Sequence, residues 1–374
     1  MTLQASHFFG RSLSVAEALA RRSNNFDLLR LIAALTVIYG HSFALAPSPG
    51  FEDSLFKLTG HHSAAMAVKF FFFLSGLLVT DSLLTRRSVL QFFVARFFRI
   101  WPALAFVLLA SIFVIGPIAT SLDLANYFTN SQTLLYFKHQ ILMQTWGTQS
   151  LGYYNLPGVF EENNYKYNVN ASLWSLVAEV SAYLTLAALF LIGLLEKRLA
   201  LLLIALIVVD SILPSRIIFT TLPTGNEDFS YLPFCFSCGV FFAIYKNRIT
   251  IDASLPLGFL LLTYLFKENL GGTHFFFLTS FTLALHLATR SWIIENIRLP
   301  FDVSYGTFLW GFPIQQLLSK YVPSLTGGAH VIVAGLLAIL AGTVSWLLVE
   351  RKFIAIGKRV AMVFARFECR NIAN

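Results

Sequence analysis

Three ionisable side chains stand inside runs of sequence too apolar to solvate them. The run 26–46 reads FDLLRLIAALTVIYGHSFALA and carries Arg30 and His41; the run 172–195 opens SLWSLVAEVSAYL, with Ser172 placed to cap its helix, and carries Glu179. A charged group in the hydrocarbon of a bilayer costs several kcal/mol unless paired, so such residues mark function by default. Arg30 and His41 are eleven positions apart. On a helix that is three turns and about 20°, with about 16 Å between them along the axis. They therefore share a face, and Asp27, Ala34 and Val37 or Ile38 lie on the same stripe. With the first run leading outward, Arg30 enters near the cytoplasmic side and His41 lies about a turn and a half below the outer surface. Glu179 sits roughly 10 Å into a helix descending from outside, close to the depth of His41. A carboxylate at that depth can orient the imidazole and raise its basicity, suiting it to take a proton from a hydroxyl. The other reading of Glu179 is a cap on a buried hydrogen-bond network.

Further residues carry chemistry of their own. Ser75-Gly76 interrupts KFFFFLSGLLVTDSLL, either as small residues that let helix backbones approach or as a nucleophile with a base in reach. RRSVLQFFVARFFRIWPAL places Arg96 and Arg99 on one helical face, where they suit phosphate oxygens of a ligand or anchor the chain to lipid phosphates. In FDVSYGTFLWGFPIQQLL, Asp302 or Ser304 is placed to cap a helix, and Gln315 and Gln316 are expected to hydrogen-bond inside a bundle. Glu350-Arg351 reads as an interfacial ion pair. His61 and His62 share a loop, and His286 reads as a satisfied core histidine. Cys235 and Cys238 read as small core residues and Cys369 as a reduced thiol. No metal motif, phosphate-cradling glycine loop or nucleophile elbow is present.

The elements that must position these residues are membrane helices. Of 374 residues 56% are hydrophobic and 12% charged, with 38 phenylalanines; a soluble domain carries roughly a quarter charged residues. Runs long enough to cross as helices lie near 26–46, 65–85, 99–119, 172–195, 199–213, 230–246, 255–267, 273–290, 302–320 and 329–350. With ten spans and both ends inside, nineteen Lys and Arg fall on the inner side and six on the outer, while Arg30 and Lys69 lie within spans. That asymmetry follows the positive-inside rule, so the net charge of +8 reflects membrane orientation rather than nucleic-acid binding. The expected fold is an all-α integral membrane protein, a bundle of about ten transmembrane helices with both termini cytoplasmic. Residues 1–25 are expected as a cytoplasmic tail without a cleavable signal peptide. Residues 26–353 form the membrane domain and 354–374 a basic cytoplasmic tail. The one long polar stretch, 120–171, is rich in Tyr, Asn and Gln; it suits a sugar or is simply solvated.

Taken together, FDLLRLIAALTVIYGH, FFFFLSG, ARFFRIWPAL, LWSLVAEVSAYL, SYGTFLWGFPIQQ and LVERKF resemble the acyltransferase-3 family of bacterial membrane enzymes. They stand in that family's order and spacing across residues 26 to about 353. The resemblance implies a ten-helix domain in the bacterial inner membrane that moves an acyl group, acetyl in the first instance, from cytoplasmic acyl-CoA to a hydroxyl of a surface or exported glycan, without a metal. It implies His41 as the essential histidine, Arg30 as its partner arginine, Glu179 beside it, and Arg96 and Arg99 with Arg30 on the donor. Ser75, Trp174, Tyr305 and Gln315 would support the acceptor, and membrane lipids surround the domain. Where many members carry a histidine ahead of the Phe-Pro step, this chain has Gly311. His41 serves either as general base or as transient acyl carrier. The competing class is a proton-coupled transporter of a sugar or lipid-linked sugar, against which stands the absence of an inverted repeat.

Overall fold

The computed structural model describes residues 12–20, 24–144, 154–195, 197–213, 227–267 and 271–373. Expectations placed on Arg11, Arg21, Arg22 and Arg216, and on the side chains of Lys197, Arg366, Cys369 and Arg370, lie outside the described residues. The longer helices are α1 (Phe26–Leu45), α2 (Ser63–Arg86), α3 (Val89–Ala119), α4 (Ser131–Ile141), α5 (Ala171–Leu191), α6 (Lys197–Ile212), α7 (Leu232–Ile244), α8 (Ser254–Leu265), α9 (Gly272–Ala288), α10 (Ser304–Tyr321), α11 (Gly327–Ser345) and α12 (Arg351–Ala373). Among the described residues the one sheet pairs Leu13–Ser14 antiparallel with Thr250–Ile251, Leu13 opposite Ile251. A helix thus stands at each apolar run. Among the described residues five are long and apolar enough to cross a membrane: α1, α2, α3, α5 and the stretch Gly327–Ala365 that continues α11 into α12. The remaining runs hold helices of 12 to 18 residues.

Several boundaries differ from those expected, each for a local reason. The chain leaves α2 through Arg87 in the left-handed region (φ 55°), and Ser88 Oγ caps α3 by accepting from the Gln91 amide. The third helix therefore starts at Val89, and Arg96 and Arg99 stand within it rather than before it. Ser172 is not a cap: α5 opens with a tight 3-10 turn from Asn170, and the Ser172 hydroxyl has no partner among the described residues. Neither Asp302 nor Ser304 caps α10, whose N-cap is Val303. Two π-turns, Ser111–Ile115 and Trp346–Glu350, interrupt otherwise continuous helices. Of the two segments read as tails, the C-terminal one lies in helix α12, and the described part of the N-terminal one holds the strand Leu13–Ser14 and a short helix closed by a Ser14–Glu17 capping box.

The chain divides into two compact units. The first comprises residues 1–33, 68–85 and 182–302. Its core is a phenylalanine stack in which Phe73 lies 4.8 Å from Phe281 and meets Phe242 edge-on at 5.4 Å. Helices α2 and α7 approach until a Cβ at Gly76 would lie 2.2 Å from the Phe236 carbonyl and one at Gly239 2.1 Å from that of Phe73. Only glycine permits such contact. Cys235 and Cys238 are buried thiols on α7. Fully buried Lys69 pairs with Asp228 at 2.5 Å, and Lys246 with Asp81 at 2.5 Å. His286 is buried and contacts Arg290 one turn on.

The second unit comprises residues 34–67, 86–181 and 303–374. In it α10 and α11 pack so closely that a Cβ at Gly306 would lie 2.8 Å from the Gly342 Cα. Ile38 packs with Ala334 and Ala338 beside Leu35, Ile314 and Leu318. The described residues of the polar stretch 120–171 include the short helix Leu124–Thr129, α4 and a bridge from Thr120 to Val159. Near residues 46–62, burial works to raise the Asp53 carboxyl. Hydrogen bonds from the Ser63 hydroxyl and the amides of Ser63, Phe56 and Leu55 outweigh it and hold the group below the ordinary aspartate value.

Replacing Gly76 by Ala drives a methyl into the Phe236 carbonyl and is expected to cost about 2 kcal/mol or more, read as a lower melting temperature in detergent; an unchanged melt would contradict the close approach. Because the Asp53 pKa is lowered on folding, its stabilisation is present above the ordinary aspartate value and is lost as pH falls through the lowered one. Protection of the Leu55 and Phe56 amides from hydrogen exchange, taken relative to the intrinsic rate at each pH, should hold at neutral pH and fall only below about pH 4.

Candidate active site

His41 lies on the last turns of α1, within the second unit. Its ring meets Phe312 of α10 edge-on, centroids 5.2 Å apart. Phe312 is itself packed with Leu45 and Ala171, with Tyr165 at 5.7 Å, so one aromatic ring seats the imidazole against the segment that leads into α5. The His41 Nδ1 atom is buried and carries no hydrogen bond among the described residues. The Glu179 carboxylate, on α5 of the same unit, therefore does not sit on Nδ1. An imidazole held by packing, with a nitrogen left unpaired, keeps its capacity to accept or donate a proton.

Next to His41 a dense network fixes α1 to α10 and α11. Gln315 Nε2 donates to the Ile38 carbonyl at 2.9 Å and to Ser42 Oγ at 2.8 Å. Ser42 also meets fully buried His330 at 3.3 Å. Gln316 Nε2 donates to the carbonyls of Tyr165 and Asn168, while Asn163 Nδ2 donates to the Gln316 side chain at 2.7 Å. Both glutamines thus bond inside the bundle, and Gln316 fastens the 163–168 segment onto α10. Sequence alone suggested no role for Ser42 or His330, whose signal is only that polar residues occur in otherwise apolar context, while Asn163 belongs to the polar stretch 120–171.

A second cluster gathers around Arg99. Its guanidinium lies 3.5 Å from the Glu350 carboxylate and 5.7 Å over the ring of Tyr305, whose hydroxyl donates to the Ile100 carbonyl at 3.2 Å. Glu350 is 1% exposed and accepts from Ser345 Oγ at 3.0 Å. The adjacency of Glu350 and Arg351 suggests an interfacial pair; instead the π-turn at Trp346–Glu350 turns Glu350 inward to Arg99, and Arg351 is exposed. A guanidinium presents five N–H donors in a rigid fork, the geometry that matches carboxylate and phosphate oxygens. Arg96 is one turn before Arg99 on α3.

Two predicted residues belong to the first unit. Arg30 pairs with Asp302 at 3.3 Å and lies 3.9 Å from Asp27. Ser75 shares a hydrogen bond of 2.8 Å with the Tyr183 hydroxyl. Its partner is a phenol, not an imidazole or carboxylate, which favours packing over nucleophilic use of that serine. Trp174 stands at the start of α5, in the second unit. Among the described residues no three His, Cys, Asp or Glu side chains gather as a metal-holding group.

The family model described as an acyltransferase domain matches residues 23–349. An O-acetyl transferase of Shigella phage Sf6 is 26% identical over 348 residues, spanning 89% of this chain and 96% of that one. Nodulation protein 10 of Rhizobium leguminosarum bv. viciae is 31% identical over 246 residues, 61% of each chain. No solved structure matches.

The Arg99–Glu350 pair makes a test of this geometry. Breaking a buried pair from one side strands the other charge and costs about 3–5 kcal/mol. Arg99→Gln and Glu350→Gln should each destabilise the protein, and the double variant should lose less than the two together. Additive losses in detergent melting would show that the two do not interact.

Proposed function

The chain belongs to this acyltransferase family, and on that premise we propose that it transfers an acyl group, acetyl in the first instance, from cytoplasmic acyl-CoA to a hydroxyl of a cell-surface or exported glycan. The family match over residues 23–349 supports the acyl transfer. The phage relative's description as an O-acetyl transferase supports an oxygen acceptor and the acetyl group. The single structural observation that carries the reading is the buried, unpaired Nδ1 of His41 seated on Phe312.

In this reading all ten apolar helices cross a bacterial inner membrane with both termini cytoplasmic. The distribution of Lys and Arg supports that topology. The CoA phosphates dock on Arg96 and Arg99, with Glu350 and Tyr305 holding the Arg99 fork in place. Arg30 joins the donor set through the family motif alone. The thioester is directed toward His41. The imidazole accepts the proton of an acceptor hydroxyl as its oxygen bonds to the thioester carbonyl carbon. The carbon–sulfur bond then breaks, and the proton passes from His41 to the departing CoA sulfur. Glu179 stabilises the imidazolium formed on the way, and Trp174 and Gln315 support the acceptor side. Nothing is oxidised or reduced, and no metal is called for.

His41→Ala should abolish acyl transfer while the protein still inserts and melts as the wild type does. The assay is incorporation of label from radiolabelled acetyl-CoA into saccharide by purified protein in lipid. Wild-type levels of product from His41→Ala would remove the imidazole from the chemistry. Movement of sugar across the bilayer without covalent labelling would favour a carrier instead. Arg96→Ala and Arg99→Ala should each raise the acetyl-CoA KM by roughly tenfold, the scale of a charge-assisted hydrogen bond, with the acceptor KM little changed.

A further inference from the structure

Four buried oxygens stand unpaired around the His41–Phe312 contact. They are Asn168 Oδ1, Asn170 Oδ1, Ser172 Oγ and Gln315 Oε1, and none has a hydrogen-bond partner among the described residues. Their side chains belong to residues 3%, 1%, 2% and 0% exposed. Folded proteins pair nearly all such groups, and each orphan costs on the order of 1–3 kcal/mol. Four in one neighbourhood point to a partner from outside the fold.

Contacts with α10 place the set. Gln316 holds the Asn168 carbonyl at 2.6 Å, Asn170 Nδ2 donates to the Leu309 carbonyl at 2.9 Å, and Ala171 packs on Phe312. The segment 168–172 is thereby laid along α10 at the ring that seats His41. Gln315, on α10 as well, is bonded to Ser42, the residue after His41. Because the amide NH2 groups of Asn170 and Gln315 are already donating, three of the four atoms are amide carbonyl oxygens, which only accept, and the Ser172 hydroxyl can accept or donate. An acyl chain offers no donor, and a phosphate or carboxylate would meet three acceptors and a single donor. A ligand with several hydroxyls satisfies the set.

We propose that Asn168, Asn170, Ser172 and Gln315 form the acceptor subsite for a polyhydroxylated saccharide ring, whose hydroxyls donate to these oxygens and leave one further hydroxyl facing His41. This deepens the glycan acyltransferase reading above and rests on it. The subsite lies on the last residues of the polar stretch 120–171, at the run-in to α5, and on the middle of α10.

Ser172→Ala is the discriminating variant, since it removes a hydroxyl that no protein atom among the described residues uses. The full chain in lipid is assayed with radiolabelled acetyl-CoA and a panel of methyl hexopyranosides as acceptor probes, together with its melting temperature. The expected result is an acceptor KM raised roughly three- to tenfold, the scale of one lost hydrogen bond, with the acetyl-CoA KM unchanged and the melting temperature unchanged or higher. A wild-type acceptor KM in Ser172→Ala would overturn the subsite and leave the acyltransferase reading intact. Failure of the wild-type protein to acylate any of the glycosides would overturn the glycan reading itself, and the subsite with it.

Discussion

A polar side chain kept from water must find a partner or carry the cost of having none, and inside an apolar bundle that cost is high. The second unit meets this demand in large part near His41. Gln315, Ser42 and His330 bond to one another and to the backbone of α1, while Gln316 ties the 163–168 segment to α10. Against that background the unpaired Nδ1 of His41 is informative. The surrounding network fixes the backbone of α1 and the ring of Phe312, so the imidazole is positioned by packing and its hydrogen-bonding capacity is left over for chemistry. Preorganisation of this kind lets a reacting group act without rearranging first.

The same demand explains the Arg99 cluster. A carboxylate as deeply buried as Glu350 is tolerable only with a cation and further hydrogen bonds, and Arg99 and Ser345 supply both. The pair in turn fixes a guanidinium that would otherwise sample many rotamers, with Tyr305 beneath it. A rigid fork of donors is better suited to phosphate than a flexible one.

The positions of the helices were legible from the apolar runs, because a bilayer dictates both the length and the composition of the segments that stand in it. The bonding of Gln315 and Gln316 was legible for the same reason: polar residues in such context must be used. The partners were not. A regular wheel assumes 100° per residue, and the π-turn at Trp346–Glu350 adds a residue and rotates the helix beyond it. Adjacency in sequence suggested Glu350 with Arg351; in the folded chain its partner is Arg99. Asp302 looked like a cap by its place before α10, yet its carboxylate turns to Arg30, 272 positions away, a pairing no local rule contains. Ser172 failed as a cap because the first turn of α5 is too tight to present an amide to it. Its orphaned hydroxyl, like the neighbouring asparagine oxygens, becomes visible only when burial and pairing are known together.

The central claim is that the His41 imidazole is the group that faces the acceptor hydroxyl. A structure of the protein with a saccharide acceptor and an unreactive acyl-CoA analogue tests it most directly. The account predicts a saccharide hydroxyl at hydrogen-bond distance, about 3 Å, from a nitrogen of His41. An acceptor bound elsewhere, with the imidazole still resting on Phe312 and touching no ligand atom, would contradict it.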